Sequence, residues 1–170
     1  MKEIVVIIGG GIAGLEAASQ LLKHSYSQIK KKKSERLGRN IKRWNRINPD
    51  MTSAKNLVQN LIDGCKDANI FLNTEISFMN RLKDGYNIML SNGISIMTRY
   101  ILVTTGFKVF EAEKKEEYGY GIYNQVITNA DLENWFNTGK DKRISGREMN
   151  AIGFVHCVGS RDEKARNPQC

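Results

Sequence analysis

The feature that most constrains this chain lies at its start. Ile4–Ile8 is an unbroken β-branched run, and Gly9-Gly10-Gly11-Ile12-Ala13-Gly14 follows it directly. Such a run is the pattern of a strand buried on both faces. Beyond the glycines, Ile12, Leu15, Ala18, Leu21 and Leu22 recur at helical spacing. The opening therefore reads strand, tight turn, helix, and in that setting G-x-G-x-x-G is a dinucleotide-binding fingerprint. Gly9 permits the turn, Gly11 lets the backbone approach a pyrophosphate without a Cβ, and Gly14 lets the helix pack on the strand. The helix N-terminus, with the amides of Ile12 and Ala13, offers free N–H groups and a positive dipole end to the phosphates.

The second half of the fingerprint is altered. An acid near the end of the second strand normally accepts hydrogen bonds from the adenosine ribose. Lys32 stands at the expected position, between Lys31 and Lys33. A lysine cannot accept a hydrogen bond. Three readings stay open: Glu35 serves through a shifted register, ribose binding is weakened, or the lysines hold a 2′-phosphate and favour NADP. The strand itself should lie within residues 25–33, where only Tyr26 and Ile29 favour it.

Further along, Ala54, Leu57, Val58, Leu61 and Ile62 predict a helix over 52–63, closed by Gly64. The period then shortens. Residues 70–72, Ile76–Leu82, 86–90 and 94–98 are strand candidates, with Asp84-Gly85 and Asn92-Gly93 as hairpin turns. Residues 100–104 form another buried-type strand that ends at Thr105-Gly106. Residues 111–117 read as a charged surface stretch and 118–123 as a Gly/Tyr loop. Thr128 is placed to cap a helix over 129–136; a polar loop over 137–150 and a last strand over 151–158 follow.

A length of 170 residues suits one domain, or one domain plus a piece of another, and excludes an enzyme built from two dinucleotide-binding domains. The net charge of +8 is concentrated locally. Between residues 30 and 46, Glu35 is the only acid among Lys30, Lys31, Lys32, Lys33, Arg36, Arg39, Lys42, Arg43 and Arg46. Such a block can bind nucleic acid, an anionic surface or an acidic partner. In a lysine-rich sequence the plainer reading is a solvated loop. Trp44 is the only aromatic in the block, and without interleaved rings for base stacking nucleic acid is disfavoured. Cys65, Cys157 and Cys170 are too few for a disulfide framework, which points to a reducing, cytoplasmic setting. No apolar run reaches membrane-span length, and the glycines with Glu16 interrupt any leader pattern.

Several segments carry a family resemblance. Gly9–Ala18 (GGGIAGLEAA), Leu37-Gly38, Lys42-Arg43-Trp44, residues 101–107 (ILVTTGF), 116–123 (EEYGYGIY) with Val126-Ile127-Thr128, and 154–162 (FVHCVGSRD) occur in family order. Together they resemble the A-type flavoprotein subunit of heterodisulfide reductase and its stand-alone FAD-dependent relatives. The resemblance implies an α/β fold: a thioredoxin-reductase-like, Rossmann-like FAD-binding domain with a small β-meander at about 70–98, incomplete at the C-terminus. It divides the chain into a cofactor domain over 1–110 and an incomplete following segment over 111–170.

The same resemblance gives individual residues roles. Thr105 and Gly106 form a turn near the FAD, and Gly38 belongs to a loop passing near the flavin, with Arg39 in place of a second glycine. Cys157 and Cys170 correspond to two ligands of an iron–sulfur cluster. Two thiolates cannot hold a normal four-thiolate cluster, so a cluster is expected only in a longer chain. Within this chain a free thiol is the plainer reading of each. Cys65 reads as a packing residue, and no residue stands out as a general acid, base or nucleophile. The implied function is an FAD-binding oxidoreductase passing electrons between flavin and iron–sulfur centres, with other redox subunits or iron–sulfur proteins as partners. The chain alone is expected to bind FAD weakly or not at all. Two alternatives stand beside it: a degenerate Rossmann-like binding module using segment 30–46, and an NADP-binding domain.

Overall fold

The structure is a computed structural model and describes residues 3–24, 27–31, 37–38, 41–47, 50–140, 144, 146 and 148–163. The expectations for Lys32, Lys33, Glu35, Arg36, Arg39 and Cys170 fall outside the described residues. The chain divides into two compact units, Met1–Gly106 and Phe107–Cys170. The division falls after Gly106, four positions before the boundary expected at residue 110.

The first unit is built around a parallel sheet. Strand β1 (Ile4–Ile8) leads through the glycine turn into helix α1 (Ile12–Lys23), and β2 (Ser27–Lys31) returns parallel to β1. A two-residue ladder pairs β3 (Arg46–Ile47) with β4 (Thr52–Ser53), and helix α2 (Ala54–Asp63) follows. Strand β5 (Asn69–Phe71) adds to β2, and β9 (Tyr100–Val103) adds to the other side of β1. The order is β5-β2-β1-β9. Between β5 and β9 the chain forms an antiparallel meander of β6 (Ile76–Leu82), β7 (Gly85–Leu90) and β8 (Ser95–Thr98).

The side-chain alternation of β1 explains why every residue of it is apolar. Val5 and Ile7 pack with Leu15 and Ala18 of α1 and with Leu61 and Cys65 at the end of α2. Val6 packs with Ile88, Leu90 and Ile96 of the meander, joined by Ile4 and Ile8. One face of β1 thus meets helices and the other meets a second sheet, so neither set of positions tolerates a polar residue. Cys65 is fully buried and its thiol donates to the Leu15 carbonyl at 3.2 Å, as its reading as a packing residue requires.

Within the weak strand signal at residues 25–33, Ser27–Lys31 is a strand, because pairing to β1 on one side and β5 on the other fixes its backbone. The first turn is displaced by one residue from the expected Asp84-Gly85: Leu82 pairs directly with Gly85, leaving Lys83-Asp84 as the two turn residues. The second turn forms at Asn92-Gly93, with the Leu90 amide donating to Ile94 at 2.8 Å.

The second unit has no strand ladder among its described residues. Short 3-10 turns at Ala112–Lys114 and Glu116–Tyr118 precede helix α3 (Asn129–Thr138). Thr128 caps α3 as expected, in a reciprocal box: its hydroxyl accepts from the Asp131 amide at 3.1 Å and the Asp131 carboxylate accepts from the Thr128 amide at 2.9 Å. The strand expected over 151–158 does not form. Ile152, Phe154 and Val155 are all about two-thirds exposed. A run of β-formers makes a strand only when a neighbouring strand or a packed face receives it. The stretch over 111–117 is not wholly a surface either. Lys115 is largely buried between Glu117 at 2.6 Å and Asp162, with side-chain exposures of 12% for Lys115 and 14% for Asp162.

Candidate functional site

The glycine loop sits at the carboxyl end of β1, where the sheet order switches direction. From β1 the chain moves to β2 on one side, while β9 enters on the other. Crevices at such a switch point are where open α/β sheets bind ligands. Ile8 pairs with Val103, and the Thr104 amide extends the ladder by donating to the Ile8 carbonyl at 2.8 Å. The loops after β1 and after β9 therefore lie side by side.

Within that crevice the three glycines have separate reasons. Gly9 has φ +129°, and a Cβ there would collide with the Thr104 carbonyl. A Cβ at Gly14 would collide with the Gly9 carbonyl and would stand 2.7 Å from the Thr104 hydroxyl. A Cβ at Gly11 would meet nothing within 4 Å. Two of the glycines are thus required by the protein's own packing, and the third borders open space. The first α1 hydrogen bond runs from the Leu15 amide to the Gly11 carbonyl at 2.9 Å. The amides of Ile12, Ala13 and Gly14 precede it and are the unsatisfied donors of the helix start. No acidic residue stands in the first turn to occupy them.

Gly38 reaches the same loop, its amide donating to the Gly10 carbonyl at 2.9 Å. Thr105 and Gly106 are exposed just beyond Thr104, and a Cβ at Gly106 would also meet nothing within 4 Å. Gly9, Gly11, Ile12, Ala13, Gly14, Gly38, Thr105 and Gly106 accordingly fall around one end of the sheet. Thr104 is the residue that sequence reasoning passed over. Its hydroxyl lies 3.2 Å from the Ile8 carbonyl and 3.4 Å from the Gly9 carbonyl. A threonine ending a strand looks like ordinary β-propensity, so its only signal was adjacency to Thr105-Gly106.

The other candidates lie elsewhere. Cys157, in the second unit, is exposed with φ +58°, and its carbonyl accepts from the Ser160 hydroxyl at 3.0 Å. His156 is exposed and stacks near Phe154. Among the described residues no group of three or more His, Cys, Asp or Glu is arranged to hold a metal ion. Asp162 is turned to Lys115, and the hydrogen bonds that the Lys115 ammonium donates to Asp162 and Glu117 raise its pKa above the ordinary 10.5. Arg46 of the basic segment donates to the Met51 carbonyl at 2.9 Å. Two grooves of about 350 and 440 Å³ flank β9, the first lined by Val5, Leu21 and Leu102 and the second by Met79, Tyr86 and Val103. Neither is lined by a residue of the glycine loop. Among the described residues no helix is long and apolar enough to cross a membrane.

Comparison with known proteins agrees with the resemblance read from the motifs. The chain is 42% identical over 83 residues to the A-type subunit of the H(2)/formate:CoB-CoM heterodisulfide,ferredoxin reductase of Methanococcus maripaludis, covering 45% of this chain and 13% of that protein. It is 40% identical over 76 residues to the A-type subunit of the ferredoxin:CoB-CoM heterodisulfide reductase of Methanosarcina mazei, covering 41% of this chain and 10% of that protein. The matched stretch thus spans only 10–13% of the length of these curated relatives. No protein-family model matches the chain. Among solved structures, the thioredoxin reductase of T. acidophilum superposes with a TM-score of 0.55 at 21% identity, covering 69% of this chain and 40% of that one. The L-proline dehydrogenase of P. horikoshii superposes with a TM-score of 0.54 at 21% identity, covering 62% of this chain and 24% of that one. The fold is therefore of the thioredoxin-reductase-like Rossmann class, as the motifs implied.

Proposed function

We propose that this chain carries the pyrophosphate-binding part of an FAD site in a flavoprotein oxidoreductase related to the A-type subunit of heterodisulfide reductase. The observation that carries the proposal is the glycine loop. It places open space at Gly11, beside the free amides of α1, at the switch point between β1 and β9. Those amides and the positive end of α1 would hold the two phosphates. The missing Cβ at Gly11 would let the backbone touch them, and Thr105-Gly106 would border the cofactor on the β9 side. When bound, the isoalloxazine supplies the electron chemistry. The chain's own work is to place the dinucleotide and to give its charge a fixed set of donors. Exchange of electrons with iron–sulfur centres, and assembly with other redox subunits, are the finer parts of the proposal. They draw on the heterodisulfide reductase relatives, with Cys157 and Cys170 as the candidate cluster ligands in a longer chain.

Titration of the 15N-labelled chain with FAD, followed by amide NMR, tests this reading. The expected result is saturable shifts in residues 9–14 and 104–106. Affinity should be weak, since Lys32 stands where a ribose acceptor is expected. Shifts produced by NADP and not by FAD would replace the reading with an NADP site, and no shift with either would remove it.

A further inference from the structure

The first and third glycines of the fingerprint make room for a side chain that the fingerprint does not include. The Thr104 hydroxyl occupies the space beside Gly14 and reaches the carbonyls of Ile8 and Gly9, at 3.2 and 3.4 Å. The Gly38 amide holds the next carbonyl along, that of Gly10, at 2.9 Å. The one Thr104 proton is shared between the Ile8 and Gly9 oxygens. The Gly9–Gly10 plane is thus held by the longer arm of a shared bond and the Gly10–Gly11 plane by the Gly38 amide, from two different parts of the chain.

A trans peptide is planar, with its N–H directed opposite to its C=O. Gripping the Gly9 oxygen turns the Gly10 N–H away from Thr104. Gripping the Gly10 oxygen turns the Gly11 N–H away from Gly38. The segment held in this way has little else to hold it, since three glycines in a row have wide backbone freedom. We propose that Thr104 is a positioning residue for the dinucleotide loop: its hydroxyl, together with the Gly38 amide, orients the Gly10 and Gly11 amides before ligand arrives. The inference rests on the dinucleotide reading for its purpose, though not for its geometry. It predicts that binding strength at this site depends on a hydroxyl that touches no ligand.

The test uses the whole 170-residue chain and three variants. Thr104→Val keeps the branched shape and removes the hydroxyl, Thr104→Ser keeps the hydroxyl, and Thr98→Val serves as the control. The Thr98 hydroxyl also bonds a carbonyl of β1, that of Ile4 at 2.8 Å, at the opposite end of the strand. Amide NMR of the unliganded proteins should show the Gly10 and Gly11 resonances displaced in Thr104→Val, restored in Thr104→Ser and unmoved in Thr98→Val. Titration with ADP should then show affinity about 2- to 10-fold weaker in Thr104→Val, the effect of one hydrogen bond, with Thr104→Ser close to wild type. Unmoved Gly10 and Gly11 resonances in Thr104→Val would overturn the inference whether or not ADP binds. Displaced resonances with undiminished ADP affinity would overturn its link to binding. Absence of any ADP shift in the wild type would instead count against the dinucleotide reading, leaving the clamp to be judged on the unliganded spectra.

Discussion

The two units of this chain are held by different kinds of interaction. In the first, order comes from apolar side chains alternating across β1 and from the sheet ladder that carries them. In the second, the described residues are organised by polar devices: the Thr128–Asp131 box at α3, the Lys115 cluster, and the carboxylate of Glu111 between Lys108 and Lys114. Helix α3 buries none of its residues. Apolar burial is collective and does not titrate. Ion pairs and caps are local, and they change with salt and pH. The sequence contains two tryptophans, and each unit has one, Trp44 and Trp135. Single-tryptophan variants therefore let the two halves of the comparison be followed separately.

The largest effect should come from the core of the first unit. Ile7 is fully buried between β1 and the helices. Ile7→Ala should cost about 2–5 kcal/mol, the transfer term plus the cavity left behind. Chemical denaturation followed at Trp44 should register that loss, while the Trp135 transition stays in place. A shift of both transitions by the same amount would show that the two units unfold as one and would break the comparison.

Next in size is Lys115 in the second unit. With Glu117 at 2.6 Å and Asp162 against it, this ammonium is mostly removed from water. Removing the ammonium takes a counter-charge from Asp162, a side chain only 14% exposed, and that costs more than replacing both members of the pair. Lys115→Met should lower the Trp135 transition and leave that of Trp44 unmoved, and adding Asp162→Leu should recover part of the loss. Equal behaviour of the single and double variants would mean that the pair is solvated and contributes nothing.

The same contrast explains what could be read in the sequence. The order strand, glycine turn, helix was legible because Ile4–Ile8 and Leu15, Ala18 and Leu21 repeat with the two periods that burial imposes. The meander was legible from its turns. Strand β2 was only faintly so, since its pairing to β1 and β5 decides its conformation more than its own residues do. Residues 151–158 look like a strand for the opposite reason: among the described residues their apolar content has no ladder to join. The Thr104 clamp and the Lys115–Asp162 pair join residues far apart in the chain. One polar residue facing another leaves no periodic trace.

The smallest effect is the most diagnostic. Hydrogen bonds from Lys108 and Lys114 lower the Glu111 pKa from 4.5 to about 2, and a hydrogen bond from Lys115 lowers that of Glu117. A carboxylate with a lowered folded-state pKa stabilises the fold fully above its unfolded value and loses that contribution as pH falls through the folded one. For Glu111 the window runs from about 4.5 down to about 2. Lys115, whose pKa is raised, stays charged throughout that window, and its own contribution is lost only in strong alkali. The Trp135 transition should therefore weaken progressively on acidification through this range. Glu111 and its lysine partners are exposed, so 1 M salt, with a Debye length of about 3 Å, should flatten the part of the slope they supply. Glu117 is itself 57% exposed but meets an ammonium only 12% exposed, so the part it supplies should be screened less than that of Glu111. A slope that vanishes entirely in salt would place the whole acid response on the surface. It would also remove the shielded Lys115 cluster from the forces that hold the second unit.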